Sequence, residues 1–138
     1  MFLFKLTKNP KNFLNALKKR GSGELYSKEE FKSIIEKERA RADRNNHELS
    51  LVIFDSGASD LKNTNIIPFI GKIRGRIRCV DETGWYDDQR IGTILPYTSN
   101  KGATKLAENI CESLDSSIPK PVCTVYTYPL DKLHNKKR

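Results

Sequence analysis

Apolar residues recur along this chain at two spacings, and the alternation between them outlines an α+β domain. Ser27 and Glu30 have the spacing of a capping box, with Tyr26 and Phe31 placed as a hydrophobic staple around it. Phe31, Ile34, Ile35, Glu38 and Ala42 then predict a helix running to about Arg44, with Arg39, Arg41 and Arg44 among its exposed charges. Asn45-Asn46-His47 ends it. The run LSLVIF, Leu49 to Phe54, predicts a buried strand that closes on a carboxylate, Asp55. Ser56 to Asn65 is polar and loop-like.

Helical spacing resumes at Ile66, Phe69, Ile70, Ile73 and Ile77, with Pro68 suited to the first turn. Lys72, Arg74, Arg76 and Arg78 mark the other face. The segment from Arg78 to Thr98 predicts the end of that helix, a strand, a tight acidic turn at Asp87-Asp88, and a second strand closing on Leu95-Pro96. Val80, Trp85, Ile91, Thr93 and Leu95 are its strand formers. Ser99 or Asn100 can cap a further helix that packs through Ala103, Leu106, Ala107, Ile110, Cys111 and Leu114. Ser116 to Pro121 turns the chain, and VCTVYTY, Val122 to Tyr128, predicts the last strand. Strand, helix, strand, strand, helix, strand is the ferredoxin-like order. It gives a four-stranded antiparallel sheet with helices on one face and an extra N-terminal helix that can pack beside them.

The first residues differ in character. Asn9-Pro10 reads as a helix start, and Phe13, Leu14 and Leu17 form a narrow apolar stripe among Lys11, Lys18, Lys19 and Arg20. Gly21-Ser22-Gly23 reads as a hinge. The expected organisation is a basic amphipathic segment at 1–23, a domain at 24–130 and a basic tail at 131–138. The first segment suits docking on the domain or on a second copy, or contact through residues 1–20 with an anionic membrane surface. No apolar run reaches the length of a membrane span, and MFLFKL is too short for a signal peptide. The expected location is cytoplasmic, with a peripheral position at the inner face of the membrane as its variant.

A formal charge of +8 points toward an anionic partner or serves solubility, and 37% hydrophobic residues allow one modest core. Cys79, Cys111 and Cys123 are too irregularly spaced for zinc or a disulfide framework, and are expected to be buried thiols. His47 and His134 have no companions for a metal site. Trp85 is read as packing and not as a base-stacking platform, so nucleic acid is an unfavoured partner.

Three stretches taken together, ERARADRNNHELSLVIFD, RCVDETGWYDDQRIGTILPYT and KGATKLAENICESL, resemble the GGDEF domain of diguanylate cyclases, within the palm-domain nucleotidyl cyclases. The resemblance spans about residues 24–128. It implies that Asp55 matches the strand-end metal ligand, and that the Gly-Gly-Asp/Glu-Glu-Phe signature falls on Asp87-Asp88-Gln89-Arg90-Ile91. Every signature position has changed. A triphosphate-bound metal needs converging carboxylates, yet Gln89 and Arg90 stand where the acids belong. Two anions replace the glycines that let phosphate approach the backbone. The stretch SGASDLKNTN is also shorter than the segment that shapes the family's nucleotide pocket; Leu61-Lys62 is a faint echo of it, and Asp60 has no secure counterpart.

Arg78-Cys79-Val80-Asp81 matches the family's Arg-x-x-Asp site for cyclic di-GMP, with Arg74 placed to assist. A capping ion pair is the alternative for these residues. The expectation is therefore a degenerate, catalytically inactive domain that regulates or binds protein, with no cofactor. Similar degenerate sequences point toward bacterial polysaccharide synthesis or signalling. The alternatives are a cyclic di-GMP receptor through Arg78 and Asp81, an active nucleotidyl cyclase using magnesium, and a nucleic-acid-binding module.

Overall fold

The computed structural model describes residues 25–55, 67–114 and 120–129. Within them lie α1 (Lys28–Asn45), β1 (Leu49–Asp55), α2 (Ile67–Arg74), β2 (Glu82–Trp85), β3 (Ile91–Pro96), α3 (Asn100–Glu112) and β4 (Val122–Tyr128). The four strands form one antiparallel sheet in the order β2-β3-β1-β4, which is the ferredoxin-like arrangement. The segments 1–24 and 130–138, the loop 56–66 and most of the turn before β4 lie outside the described residues. So do the expected domain boundaries, Asp60, His134 and the basic segment proposed to meet a membrane. Among the described residues no helix is long and apolar enough to cross a membrane.

Strand alternation sends two sets of side chains to opposite faces. Val52 and Phe54 of β1, with Ile91 and Leu95 of β3, pack against Phe69 and Ile73 of α2 and Ala103, Ala107 and Ile110 of α3. Leu49, Leu51 and Ile94 face the other way, toward Phe31, Ile34 and Ala42 of α1. The extra helix therefore covers the opposite face of the sheet from α2 and α3, instead of lying beside them.

Local rules explain α1 well. Ser27 Oγ accepts from the Glu30 N–H at 3.1 Å, and Glu30 Oε1 accepts from the Ser27 N–H at 2.9 Å, completing the capping box. Asn46 closes the helix in a left-handed conformation, φ 58°. A pair of glycines seats the helix on the sheet. Gly84 and Gly92 stand directly opposite each other on β2 and β3. A Cβ on either would come within 2.8 Å of the Phe31 ring. The two missing side chains are the notch that Phe31 fills.

Other expectations need correction. α2 ends at Arg74 and not near Arg78; Gly75, a weak helix former, bonds back to Gly71 O at 2.9 Å, and Arg76 to Ile73 O at 3.0 Å in a tighter final turn. Ile77 lies past the helix yet still packs on the core. Val80 is no strand residue: it is 53% exposed, in a turn closed by the Asp81 N–H on Arg78 O at 3.0 Å. The acidic bend is a five-residue loop, Tyr86 to Arg90, between β2 and β3. The cysteines are not all buried either. Cys79 is exposed, while Cys111 and Cys123 are half-buried with their sulfurs 3.1 Å apart.

Candidate functional site

The β2–β3 loop is held by its own charges. Tyr86 N–H donates to Arg90 O at 2.9 Å and closes the loop at its base. Asp87 Oδ1 accepts from the backbone N–H groups of Gln89 at 2.9 Å and Arg90 at 2.7 Å, an aspartate-built turn. Its other oxygen accepts from Arg90 Nε at 2.8 Å and lies 2.7 Å from Arg90 Nη2. Burial pushes the Asp87 carboxyl upward, but these donors together hold it below its usual range. Arg90 also lies over the Tyr86 ring, 5.1 Å from its centroid. Asp88 reaches across to Lys28 in the first turn of α1 at 2.5 Å, and that contact raises the Lys28 pKa.

Asp55 is partly exposed at the end of β1, and the register determines what stands near it. Phe54 pairs with Ile91, so Asp55 and Arg90 follow at the same end of neighbouring strands. The Arg90 pKa is raised chiefly by its bond to Asp87, and the charge of Asp55 adds to the rise. The carboxylate matching a metal ligand thus lies within electrostatic reach of a fixed guanidinium. Among the described residues no three of His, Cys, Asp and Glu gather as a metal site would require. The donor set is a poor fit for a divalent cation: Asp87 is engaged by Arg90, Asp88 by Lys28, and the neighbour of Asp55 is itself a cation. Ile91, which the sequence resemblance sets at the last signature position, is fully buried in the core.

Arg78 and Asp81 meet in a closed clamp. Arg78 N–H and Nε donate to Asp81 Oδ2 at 2.8 and 3.2 Å, and Nη2 donates to Oδ1 at 2.8 Å. The same Nη2 reaches Pro96 O at 2.6 Å and Thr98 Oγ1 at 3.0 Å. The Asp81 side chain is only 2% exposed, against 52% for Arg78. Ser50 Oγ donates to Thr98 O at 2.7 Å from the other side. The bend from β3 into α3 is therefore pinned at both flanks. It includes Tyr97, left-handed at φ 57° and stacked on His47 with centroids 3.6 Å apart. Arg74 is partly buried at the last residue of α2.

Two hollows border α1. One of about 460 Å³ lies over β1 and β4, lined by Ile35, Leu51, Ile94, Tyr126 and Tyr128, with Arg39 4.8 Å from the centroid of the Tyr128 ring. The other, about 680 Å³, runs between α1 and the loop and carries Lys32, Trp85, Tyr86 and Arg90. The first was not legible in the sequence, because it depends on α1 covering β2 and β3 more fully than β4.

Similarities to solved structures agree with this architecture. A diguanylate cyclase protein from Thermotoga maritima is 17% identical with a TM-score of 0.63, covering 83% of this chain and 95% of that one. The GGDEF domain of DgcB from Caulobacter crescentus, solved with c-di-GMP, is 15% identical with a TM-score of 0.56, over 75% and 70% of the two chains. Diguanylate cyclase SiaD from Pseudomonas aeruginosa, solved with its activator SiaC, is 11% identical with a TM-score of 0.57, over 97% and 64%. The fold is that of GGDEF domains. No family model matches the chain, and no curated protein does.

Proposed function

We propose that this chain is a non-catalytic regulatory domain built on the GGDEF fold, acting through contacts with protein. The observation that carries the reading is Arg90. The sequence resemblance sets it at a signature acid position; it is clamped to Asp87 and brings a permanent positive charge to the end of the sheet where Asp55 lies. Phosphoryl transfer from a nucleoside triphosphate depends on metal ions that bridge its phosphates. A guanidinium at that place competes with such ions for Asp55.

Arg78 and Asp81 act in this proposal as a structural clamp. Guanine recognition needs the Asp81 carboxylate as an acceptor, and that carboxylate is buried under three Arg78 donors. RNA binding is disfavoured for a separate reason: sheet platforms stack bases on an open face, whereas helices pack on both faces here. A surface suited to protein contact is the apolar hollow beside β4, where Tyr126 is 49% exposed.

The test is thermal stability of the purified chain at fixed salt with cyclic di-GMP, GTP and ATP, each with and without magnesium, followed by product analysis. The expected result is no saturable shift and no cyclic product. Cyclic product from GTP or ATP with magnesium, abolished in Asp55→Ala, would overturn the reading. A magnesium-independent shift with cyclic di-GMP, lost in Arg78→Ala, would replace it with a receptor.

A further inference from the structure

Cys111 and Cys123 lie two strands across the sheet from the β2–β3 loop, at the same end, and play no part in the reading above. Cys111 is the next-to-last residue of α3, and Cys123 is the second residue of β4. The pairing of β4 with β1 and the packing of α3 on the same face bring the two together. Their sulfurs are 3.1 Å apart, closer than two sulfurs in ordinary contact, and both side chains are half-buried. Burial, then the hydrogen bond and charge of Cys111, pushes the Cys123 thiol up to about 12. Cys123 therefore favours its protonated form, and either sulfur can be the donor in the contact.

We infer that Cys111 and Cys123 form an oxidisable dithiol that hydrogen peroxide converts to an intrachain disulfide, fastening the end of α3 to the edge strand β4. Cys111 as thiolate attacks the peroxide, the O–O bond breaks, and Cys111 becomes a sulfenic acid while hydroxide leaves. The Cys123 sulfur then attacks the Cys111 sulfur, its proton leaves with the departing hydroxide as water, and the S–S bond closes. Two thiols and one peroxide give one disulfide and two waters, a two-electron change. Selectivity comes from the second step, because the resolving sulfur is already in place.

The exposed Cys79 serves as an internal control. The full chain is treated with hydrogen peroxide, remaining thiols are alkylated, and peptides are mapped without reduction. The expected result is a Cys111–Cys123 link within one chain, loss of two hydrogens in the intact mass, and reversal by dithiothreitol. Cys79→Ser should give the same link, and Cys123→Ala should leave a sulfenic acid on Cys111 that dimedone traps. Three results overturn the inference: a link through Cys79, a link between two chains, or full alkylation of Cys111 and Cys123 after the oxidant has consumed Cys79. The wild-type map decides this without relying on any variant's ability to fold.

Discussion

Arg78 ties its own turn, which includes the buried Asp81, to the bend at Pro96 and Thr98, 18 and 20 residues further along the chain. Removing the guanidinium leaves the buried carboxylate with only the Arg78 backbone N–H of its three Arg78 donors, a cost of about 2–3 kcal/mol. Arg78→Ala should lower the denaturant midpoint accordingly, and Arg78→Lys should recover only part, since an ammonium cannot reproduce the fork. Urea titration of the three proteins checks this. Asp87 gives a different response, in acid. Its folded pKa is depressed, so its contribution is present above the unfolded value and lost as pH falls through the folded one. The amides of Gln89 and Arg90 should therefore keep their hydrogen-bonded shifts through the ordinary aspartate range and lose them only at lower pH in an NMR titration, while the core stays folded. Asp87→Asn should show the released loop already at neutral pH.

At the level of elements, the sequence spoke clearly where one local rule acted alone. The capping box at Ser27 and Glu30, the buried run ending at Asp55 and the alternation in Val122–Tyr128 all appear where their patterns put them. It misled where two rules met. Ile77 keeps helical spacing because it packs on the core, yet the chain reaches it by a turn after Gly75. Val80 has the propensity of a strand residue, but the Arg78–Asp81 turn turns it outward. At the candidate site the type and order of residues were legible, and so was the mismatch at Gln89 and Arg90. The approach of Arg90 to Asp55 and of Cys111 to Cys123 depends on strand register, which no local pattern carries. Gly92 gives a test of packing at this scale. Gly92→Ala forces a methyl against Phe31 and should destabilise by about 1–3 kcal/mol. Pairing it with Phe31→Leu should cost less than the sum of the two single changes, which a double-mutant cycle in urea measures.

Seen whole, the molecule is a basic chain of net charge +8 whose sheet carries helices on both faces. Affinity for nucleic acid should then come from diffuse charge alone. Any retention on single-stranded DNA should fall steeply between about 0.05 and 0.2 M salt, and Tyr126→Ala should leave it unchanged. A salt series on the two proteins checks this; a loss in Tyr126→Ala at every salt would instead mark a stacking surface. The notch under Phe31 also bears on the order of assembly. It exists only while Gly84 faces Gly92, and sliding β2 by two residues would set a large side chain opposite each glycine in turn. Those two strands are neighbours along the chain, whereas Phe31 arrives from more than fifty residues away. The hairpin must therefore be in register before α1 can seat, and the helix acts as a late inspector of a pairing it did not make. Phe31→Leu should accordingly leave the refolding rate nearly untouched and express its destabilisation as faster unfolding, in the two arms of a chevron plot.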